Sequence, residues 1–193
     1  DLEGLKMGMP GLGGEVLKKL GGLPVALTGG ELFTSLQSGA IDATEWVGPY
    51  NDLAFGLYKA AKYYYYSGWH EPSANVEFIV NKESYEALPD DLQAIIEVAT
   101  RAVNQDMWDE YTAANNAAMQ ALVETHGVDM RPLPPEVMAA LQQASVIVMQ
   151  EQSAADPLFK KVYESYADFQ SKVMQYHHIS EFEYYKNRAG NNQ

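Results

Sequence analysis

The sequence contains no cysteine among its 193 residues. That absence excludes disulfide bonds, a thiolate nucleophile and a zinc site with cysteine ligands. Positive charge is also scarce, because 13 lysine and arginine residues stand against 26 aspartate and glutamate residues and leave a net charge of −13. Phosphate groups would be repelled by such a surface. The composition therefore argues against nucleic acid and anionic membranes as partners, and it favours cations.

Long apolar runs are missing too. No stretch of about 18 apolar residues occurs, so no segment of the given sequence is predicted to span a membrane or to act as a signal peptide. Hydrophobic residues make up 47% of the chain, which is enough for a sizeable core in one domain or a domain and a half. The first residue is Asp1 rather than methionine, and we expect the sequence to be a product of processing or truncation.

Short strand and helix signals alternate in the first third of the chain. Apolar segments bounded by glycine and proline predict strands, and apolar residues at helical spacing predict the helices between them. Strands that alternate with helices indicate a parallel, doubly wound sheet. The predicted strands cover residues 5–10, 23–27 and 40–46, and the predicted helices cover 11–22, 28–39 and 49–66.

The rest of the chain is predicted to be mainly helical. Clean alternation predicts one more strand over 74–82. Pro89, followed by two aspartates, is a strong helix start, and the apolar spacing then continues to Gly127. Residues 128–134 are predicted to form a short extended link. Two further helices are expected over 135–156 and 157–178, followed by a polar, irregular terminus.

Two loops combine a carboxylate with an indole. Glu45 and Trp46 end the third predicted strand, and Trp69 and Glu71 lie in the motif "GWHEP". In a parallel sheet, ligands bind beyond the carboxyl ends of the strands. Carboxylate oxygens suit Ca²⁺ or Na⁺, and aromatic walls exclude water. Surface carboxylates and core aromatics would explain the same residues singly, but two such pairs favour a small cation-assisted site.

Other functions remain open on the residues alone. No Ser-His-Asp or Cys-His nucleophile system is apparent. Glu45 and Glu71 could instead serve a metal-dependent α/β enzyme that acts on a small acid. A helical interaction protein, in which the aromatic loops are only core, is a third interpretation.

The sequence carries a family resemblance that runs from residue 1 to about residue 185 and is most specific over residues 28–72. "DLEGLKMGMPGLGGEVLKKLGGLPVAL", "GGELFTSLQSGAIDATEWVGPYNDLAFGLYKAAKYYYY" and "GWHEP" resemble the substrate-binding subunits of tripartite ATP-independent periplasmic (TRAP) transporters, in the subgroup associated with 2-oxo acids and related monocarboxylates. The resemblance implies a two-lobed periplasmic protein that is not an enzyme. Such a protein would capture a small organic acid and deliver it to a TRAP membrane permease.

The resemblance also implies a fold and a domain layout. The fold class is α/β: a periplasmic-binding-protein-like lobe with a mostly parallel sheet, followed by long C-terminal helices. Residues 1–73 would form the second α/β lobe. Residues 74–193 would supply the returning strand, a long bracing helix and the C-terminal helices. An N-terminal lobe would precede residue 1.

The site residues follow from the same resemblance. Glu45, through its carboxylate, and Trp46, through its backbone carbonyl, would be metal ligands, and Glu71 a further one, for Ca²⁺ or Na⁺ of unknown identity. Gly8, Glu45, Trp46 and Trp69 would face the substrate. Gly8 replaces an arginine that clamps the ligand's carboxylate in the family, so we expect Gly8→Arg to strengthen carboxylate binding if the pocket has room.

A homodimer through the C-terminal helices is a further expectation. Large apolar residues recur at helical spacing in the last predicted helix, and such a stripe must be covered by the chain itself or by a partner. The stripe consists of Phe159, Val162, Tyr166, Phe169 and Val173.

Overall fold

A small parallel sheet organises the first part of the chain. The computed structural model describes residues 2–71 and 77–188. Strands β1 (Lys6–Gly8), β2 (Leu23–Val25) and β3 (Ala43–Thr44) form a sheet with the order β2-β1-β3, and both pairings are parallel. The predicted strand–helix alternation and the parallel sheet are confirmed in this region.

Helix α1 (Gly11–Lys19) connects β1 to β2, and helix α2 (Gly29–Ser38) connects β2 to β3. The side chain of Glu31 accepts hydrogen bonds from the backbone N–H of Thr28, at 2.9 Å, and from its hydroxyl, at 2.7 Å, so a capping box starts α2. Gly39 ends α2 with φ at 74°, a left-handed conformation that glycine adopts without strain. Local chemistry therefore sets both ends of this helix.

The single helix predicted over 49–66 is wrong. Helix α3 covers only Pro49–Ala54, a 3₁₀ turn follows at Leu57–Lys59, and the tyrosine run forms strand β4 (Tyr63–Tyr66). Gly56, with φ at 69°, interrupts the helix between α3 and the 3₁₀ turn. Four consecutive tyrosines also favour a strand over a helix.

The predicted extended link at 128–134 contains the partner of β4. Strand β5 (Asp129–Pro132) pairs with β4 in parallel, and the register places Tyr64 opposite Met130. The tyrosine run therefore becomes a strand through a pairing that is distant in sequence, which helical spacing cannot reveal.

The strand predicted over 74–82 is not found in its described part. Residues 74–76 lie outside the described residues, and 77–80 have no regular structure. Lys82 begins a short helix α4 (Lys82–Glu86), which Asn81 caps by accepting a hydrogen bond from the backbone N–H of Ser84 at 3.0 Å. A strand is stabilised by pairing, and within the described ranges none of the five strands pairs with this segment.

The long helix is confirmed. Helix α5 (Asp90–Gln120) has 31 residues and continues through a π-helical turn at Ala121–Thr125. Its length is about 46 Å at the usual rise per residue. Its buried residues lie at the C-terminal end, where Ala118 and Leu122 are almost inaccessible, whereas Ile95 is 60% exposed.

The two proline-initiated helices near the end of the chain are also confirmed as α6 (Pro135–Ala155) and α7 (Pro157–His177). Asp156 caps α7 by accepting a hydrogen bond from the backbone N–H of Leu158 at 2.7 Å. The prediction of an irregular terminus is wrong in its described part. A π-helical turn at His178–Phe182 leads into helix α8 (Glu183–Arg188). An ion pair between Lys186 and Glu183 at 3.0 Å supports this last helix.

The chain divides into two compact units, Asp1–Leu141 and Gln142–Gln193. The first unit has a buried apolar core beneath the sheet and helices, whereas buried apolar side chains in the described part of the second unit are few. The first core comprises Met9, Val16, Leu17, Leu32, Ile41, Leu57, Ala118, Leu122, Val128 and Leu141, and the second Ala144 and Val148. In the described ranges, no helix has both the length and the apolar character needed to cross a bilayer.

Two adjacent glycines at the start of α2 differ in the space beside them, and they give a stability prediction. A Cβ on Gly29 would lie 2.6 Å from Cη2 of Trp46, whereas a Cβ on Gly30 would meet nothing within 4 Å. Gly29→Ala should destabilise the protein by about 1–3 kcal/mol, because the indole must move. Gly30→Ala should stabilise it by roughly 0.5 kcal/mol, because it only stiffens the unfolded chain.

Urea unfolding of the two variants measures both effects, and Gly30→Ala serves as the matched control. Equal midpoints for the two variants would show that Trp46 is free to move away from α2.

Candidate functional site

Glu45 lies at the carboxyl edge of the three-stranded sheet. It follows the last residue of β3, and its backbone N–H donates a hydrogen bond to the carbonyl of Gly8, the last residue of β1, at 3.2 Å. Since all three strands run in parallel, their carboxyl ends open towards the same side of the sheet. This is the edge at which parallel sheets bind ligands.

Thr44 fixes the backbone on both sides of this point. Its hydroxyl lies 3.2 Å from the carbonyl oxygen of Gly8 and 3.0 Å from that of Glu45, and it can donate to either. Gly8 itself is buried, and a Cβ on it would lie 2.6 Å from Oγ1 of Thr44. The structure therefore leaves no room for a side chain at Gly8 unless Thr44 shifts.

The carboxylate of Glu45 is partly buried and lies in a negative field. Its pKa is raised to about 6, first by burial and then by the negative charges of Glu71 and Asp52. Like charges within a few ångströms of one another disfavour ionisation. The two glutamates predicted to act together are therefore close enough to repel each other, and Asp52 joins them.

The indole of Trp46 is held between two elements. It lies against Gly29 at the start of α2, and its ring centroid is 5.1 Å from that of Phe55, just after α3. The residue remains 36% exposed, so one part of it faces solvent. An indole fixed on two sides and open on a third can serve as a rigid wall.

The described part of the "GWHEP" motif, residues 68–71, reaches the beginning of α1. The rings of Trp69 and His70 pack at 4.6 Å, and a Cβ on Gly13 would lie 3.3 Å from Cδ2 of His70. Nδ1 of His70 is buried without a hydrogen-bond partner, and burial lowers the pKa of this imidazole while the charge of Glu71 opposes that change. The loop is thus packed against the segment that follows β1, with Glu71 exposed beside it.

Asp52 is a site residue that the sequence interpretation missed. It lies in the first turn of α3, only 7% of its surface is exposed, and its Oδ2 accepts a hydrogen bond from the hydroxyl of Tyr64 at 2.6 Å. Burial raises the pKa of Asp52, and the hydrogen bond from Tyr64 opposes this rise. An acid in the first turn of a helix usually lies on the surface, where it interacts with the helix dipole, so nothing in the sequence predicts that Asp52 is buried.

Side chains alone do not complete a metal site. In the ranges 2–71 and 77–188, no group of three or more histidine, aspartate or glutamate side chains is arranged to hold a metal ion. The donors predicted from the sequence are the carboxylates of Glu45 and Glu71 and the backbone carbonyl of Trp46, which are oxygens of the kind that a hard cation prefers. Ca²⁺ takes roughly six to eight oxygen ligands, so further oxygens must come from ligand, water or other protein groups.

Comparison with known proteins identifies the family. The model of the DctP family, described as bacterial extracellular solute-binding protein family 7, matches residues 1–156. A monocarboxylate 2-oxoacid-binding periplasmic protein from a Nostoc species is 41% identical over 184 residues. The match covers 95% of this chain and 50% of that protein, so the chain spans about half the length of this curated relative.

Solved structures agree with this match. A TRAP periplasmic solute-binding protein from Colwellia psychrerythraea, with bound calcium and pyruvate, is 41% identical and has a TM-score of 0.92 over 97% of this chain and 57% of its own. A similar protein from Pseudoalteromonas atlantica, with bound sodium and pyruvate, is 39% identical and has a TM-score of 0.91 over 96% of this chain and 56% of its own.

A third structure, from Bordetella bronchiseptica, is a mixed-occupancy dimer with copurified calcium and picolinate in an active site compared with an apo site. It is 38% identical, with a TM-score of 0.93 over 98% of this chain and 56% of its own.

These relatives confirm the resemblance and the fold class inferred from the sequence. They are solute-binding proteins of TRAP transporters, which are not enzymes, so the enzyme interpretation of Glu45 and Glu71 is not supported. The chain belongs to the DctP family of bacterial extracellular solute-binding proteins, family 7.

Proposed function

We propose that this chain is part of a periplasmic protein that captures a small 2-oxo acid or related monocarboxylate with the help of Ca²⁺ or Na⁺, and that delivers it to a TRAP membrane permease. One observation carries the proposal. The carboxylate of Glu45, at the carboxyl edge of a parallel sheet, is partly buried and repelled by Glu71 and Asp52. A cation bound there converts that repulsion into attraction.

The proposed ligands of the cation are the carboxylates of Glu45 and Glu71 and the backbone carbonyl of Trp46. A chain with a net charge of −13 repels an organic anion unless a local positive charge compensates. The cation supplies that charge and binds the anion's oxygens. The rings of Trp46 and Trp69 would wall the pocket and keep water away from these contacts.

Gly8 makes the cation more important. The family resemblance places a clamping arginine at this position, and the present sequence has none. Gly8→Arg would strengthen binding only if the pocket had room, and a Cβ on Gly8 would lie 2.6 Å from Oγ1 of Thr44. We therefore expect Gly8 to contribute backbone surface only, and the cation to hold the acid's carboxylate.

The ligands of the similar structures share one chemical feature. Pyruvate and picolinate, which are bound to the proteins described above, each carry a second donor atom next to the carboxylate. A cation can be chelated by both atoms at once. For this chain we propose the same preference, so that pyruvate binds more tightly than propionate, which has the same three-carbon skeleton without the oxo group.

The C-terminal helix supports a homodimer as a proposal. Four apolar side chains on one face of α7 are strongly exposed: Leu158, Val162, Tyr166 and Phe169. Phe159 and Val173, which also belong to the predicted stripe, are partly buried. Exposed stripes of this kind mark association surfaces. The similar Bordetella protein is a dimer, which favours a second copy as the occupant.

The first prediction concerns the proposed metal ligands. In the full-length protein, Glu45→Ala should abolish cation-dependent pyruvate binding, because it removes the partly buried carboxylate at the carboxyl edge of the sheet. Glu71→Ala should weaken binding by about 10-fold or more, since one charged ligand is lost. Trp46→Ala should weaken it less, because the backbone carbonyl remains.

Calorimetry with pyruvate in Ca²⁺, in Na⁺ and in a buffer of bulky organic cations measures these effects, with propionate as the matched ligand control. If Glu45→Ala binds pyruvate as tightly as the wild-type protein does, Glu45 and Trp46 have only a packing role and are not metal ligands.

The second prediction concerns pH. Because the folded protein raises the pKa of Glu45 to about 6, the ionised carboxylate destabilises the metal-free fold as pH rises from the ordinary value of 4.5 through 6. Glu45→Gln removes that charge. After allowance for partial exposure, it should stabilise the metal-free protein by about 1 kcal/mol near pH 7.5 and by almost nothing near pH 4.

Urea unfolding at the two pH values is the measurement. An exposed control, Glu3→Gln, should change stability by less than about 0.5 kcal/mol at both. If Glu45→Gln is destabilising at the higher pH without metal, the carboxylates do not repel one another as described.

The third prediction concerns the dimer. Val162→Glu places a charge within the exposed stripe of α7 and should shift a micromolar solution of the full-length protein towards monomer, because burying an unpaired charge is costly. Ser171→Glu adds the same charge on the opposite face of the helix and should leave the assembly unchanged. Light scattering distinguishes them, and a strictly monomeric parent protein would rule out the dimer.

A further inference from the structure

The hydrogen bond between Asp52 and Tyr64 has no part in the proposed coordination of the cation. Asp52 is 7% exposed, its Oδ2 accepts from the Tyr64 hydroxyl at 2.6 Å, and its Oδ1 is buried without a hydrogen-bond partner. Burying a carboxylate is costly for the fold, and the backbone N–H groups of Val47 and Gly48, which lower the pKa of Asp52, offset only part of that cost. Such a group calls for a function that compensates for the cost.

The positions of the two residues indicate that function. Asp52 lies in the first turn of α3, the helix that directly follows the segment carrying Glu45 and Trp46. Tyr64 lies in β4, the strand that directly precedes the loop carrying Trp69 and Glu71. Their hydrogen bond therefore joins the two segments that carry the proposed metal ligands.

Helix α3 cannot easily carry this charge away from the site. The backbone N–H of Tyr50 donates to Oδ1 of Asn115 at 2.9 Å, and its hydroxyl donates to Glu110 at 2.9 Å. Asn51 donates to the hydroxyl of Tyr111 at 3.3 Å. The first turn of α3 is thus anchored to the long helix α5, which holds Asp52 in place.

We propose that Asp52 and Tyr64 are positioning residues of the cation site: the hydrogen bond sets the separation of the Glu45 and Glu71 segments, and the buried charge of Asp52 attracts the cation without contacting it. This inference rests on the proposed function, because it requires a cation between those two segments.

The charge and the bond can be separated by substitution. Asp52→Asn keeps an oxygen that accepts from Tyr64 and removes the negative charge. Tyr64→Phe removes the hydrogen bond and keeps the charge. Tyr63→Phe is the matched control, because Tyr63 lies in the same strand, is 50% exposed and keeps its ring contact with Arg131 when the hydroxyl is lost.

Coulomb attraction distinguishes the charge of Asp52 from a structural role. The interaction free energy is proportional to the charge of the cation, so a lost negative charge should cost Ca²⁺ twice as much free energy as Na⁺. Distortion of the site follows no such rule. If Asp52→Asn lowers the affinity for Ca²⁺ by about 10-fold, it should lower that for Na⁺ by about 3-fold.

The experiment measures binding of each cation alone to the full-length protein near pH 8, at constant ionic strength and without organic acid. Asp52→Asn should show the unequal losses described above. Tyr64→Phe should lower both affinities by a similar factor of about 3, because only geometry changes. Tyr63→Phe should match the parent.

Metal-free thermal unfolding gives an independent readout. Asp52→Asn should unfold no earlier than the parent, because it removes a buried charge, while the rise in midpoint caused by Ca²⁺ should shrink. A lower metal-free midpoint with an unchanged Ca²⁺ response would assign Asp52 to the fold alone and overturn the inference. Should Asp52→Asn fail to fold, Tyr64→Phe decides, and parent-like cation affinity in that variant overturns the inference.

Different results would overturn the proposed function and the proposed role of Asp52. A parent protein that binds neither cation overturns both. A parent that binds Ca²⁺, with Asp52→Asn binding it equally well or losing Ca²⁺ and Na⁺ affinity by the same factor, overturns only the role of the Asp52 charge.

Discussion

Electrostatic repulsion among carboxylates at one edge of the small sheet is the interaction on which the proposed site depends. Glu45 is partly buried, and Glu71 and Asp52 add to the cost of ionising it. Ionised carboxylates that repel one another destabilise the folded protein unless a positive charge compensates for the repulsion. The chain offers few lysines or arginines for that purpose, and Gly8 provides no side chain at all. A bound cation is the simplest compensation, and it also explains how a chain with a net charge of −13 could hold an organic anion.

The fold keeps the crowded groups together. Parallel pairing brings the ends of β1 and β3 side by side, and the hydroxyl of Thr44 ties the backbone at that point. Contacts between α3 and α5 then hold the segment after Trp46, and the bond from Tyr64 to Asp52 links it to the strand before Glu71. The repulsion is thus maintained by packing and hydrogen bonds that do not themselves touch a ligand.

Local chemistry in the sequence was sufficient for part of this arrangement. The glycine that ends α2 and the prolines that begin α6 and α7 are signals within a few residues, and these three predicted helices are confirmed. The tyrosine run was mistaken for helix, because its strand depends on pairing with residues 129–132. Glu45 and Glu71 stood out as candidates because each lies within two residues of a tryptophan, Trp46 or Trp69. Asp52 was missed because its burial arises from tertiary packing, for which its neighbours in sequence give no sign.

The proposed binding mode requires a cation that links the crowded carboxylates to an acid with two adjacent donor atoms. The most direct measurement is a calorimetric titration of the full-length protein with pyruvate, first after chelation in a sodium-free buffer and then after Ca²⁺ is restored. We expect no measurable binding of pyruvate in the first titration and recovery of binding in the second. Equal pyruvate affinity with and without the metal would contradict it.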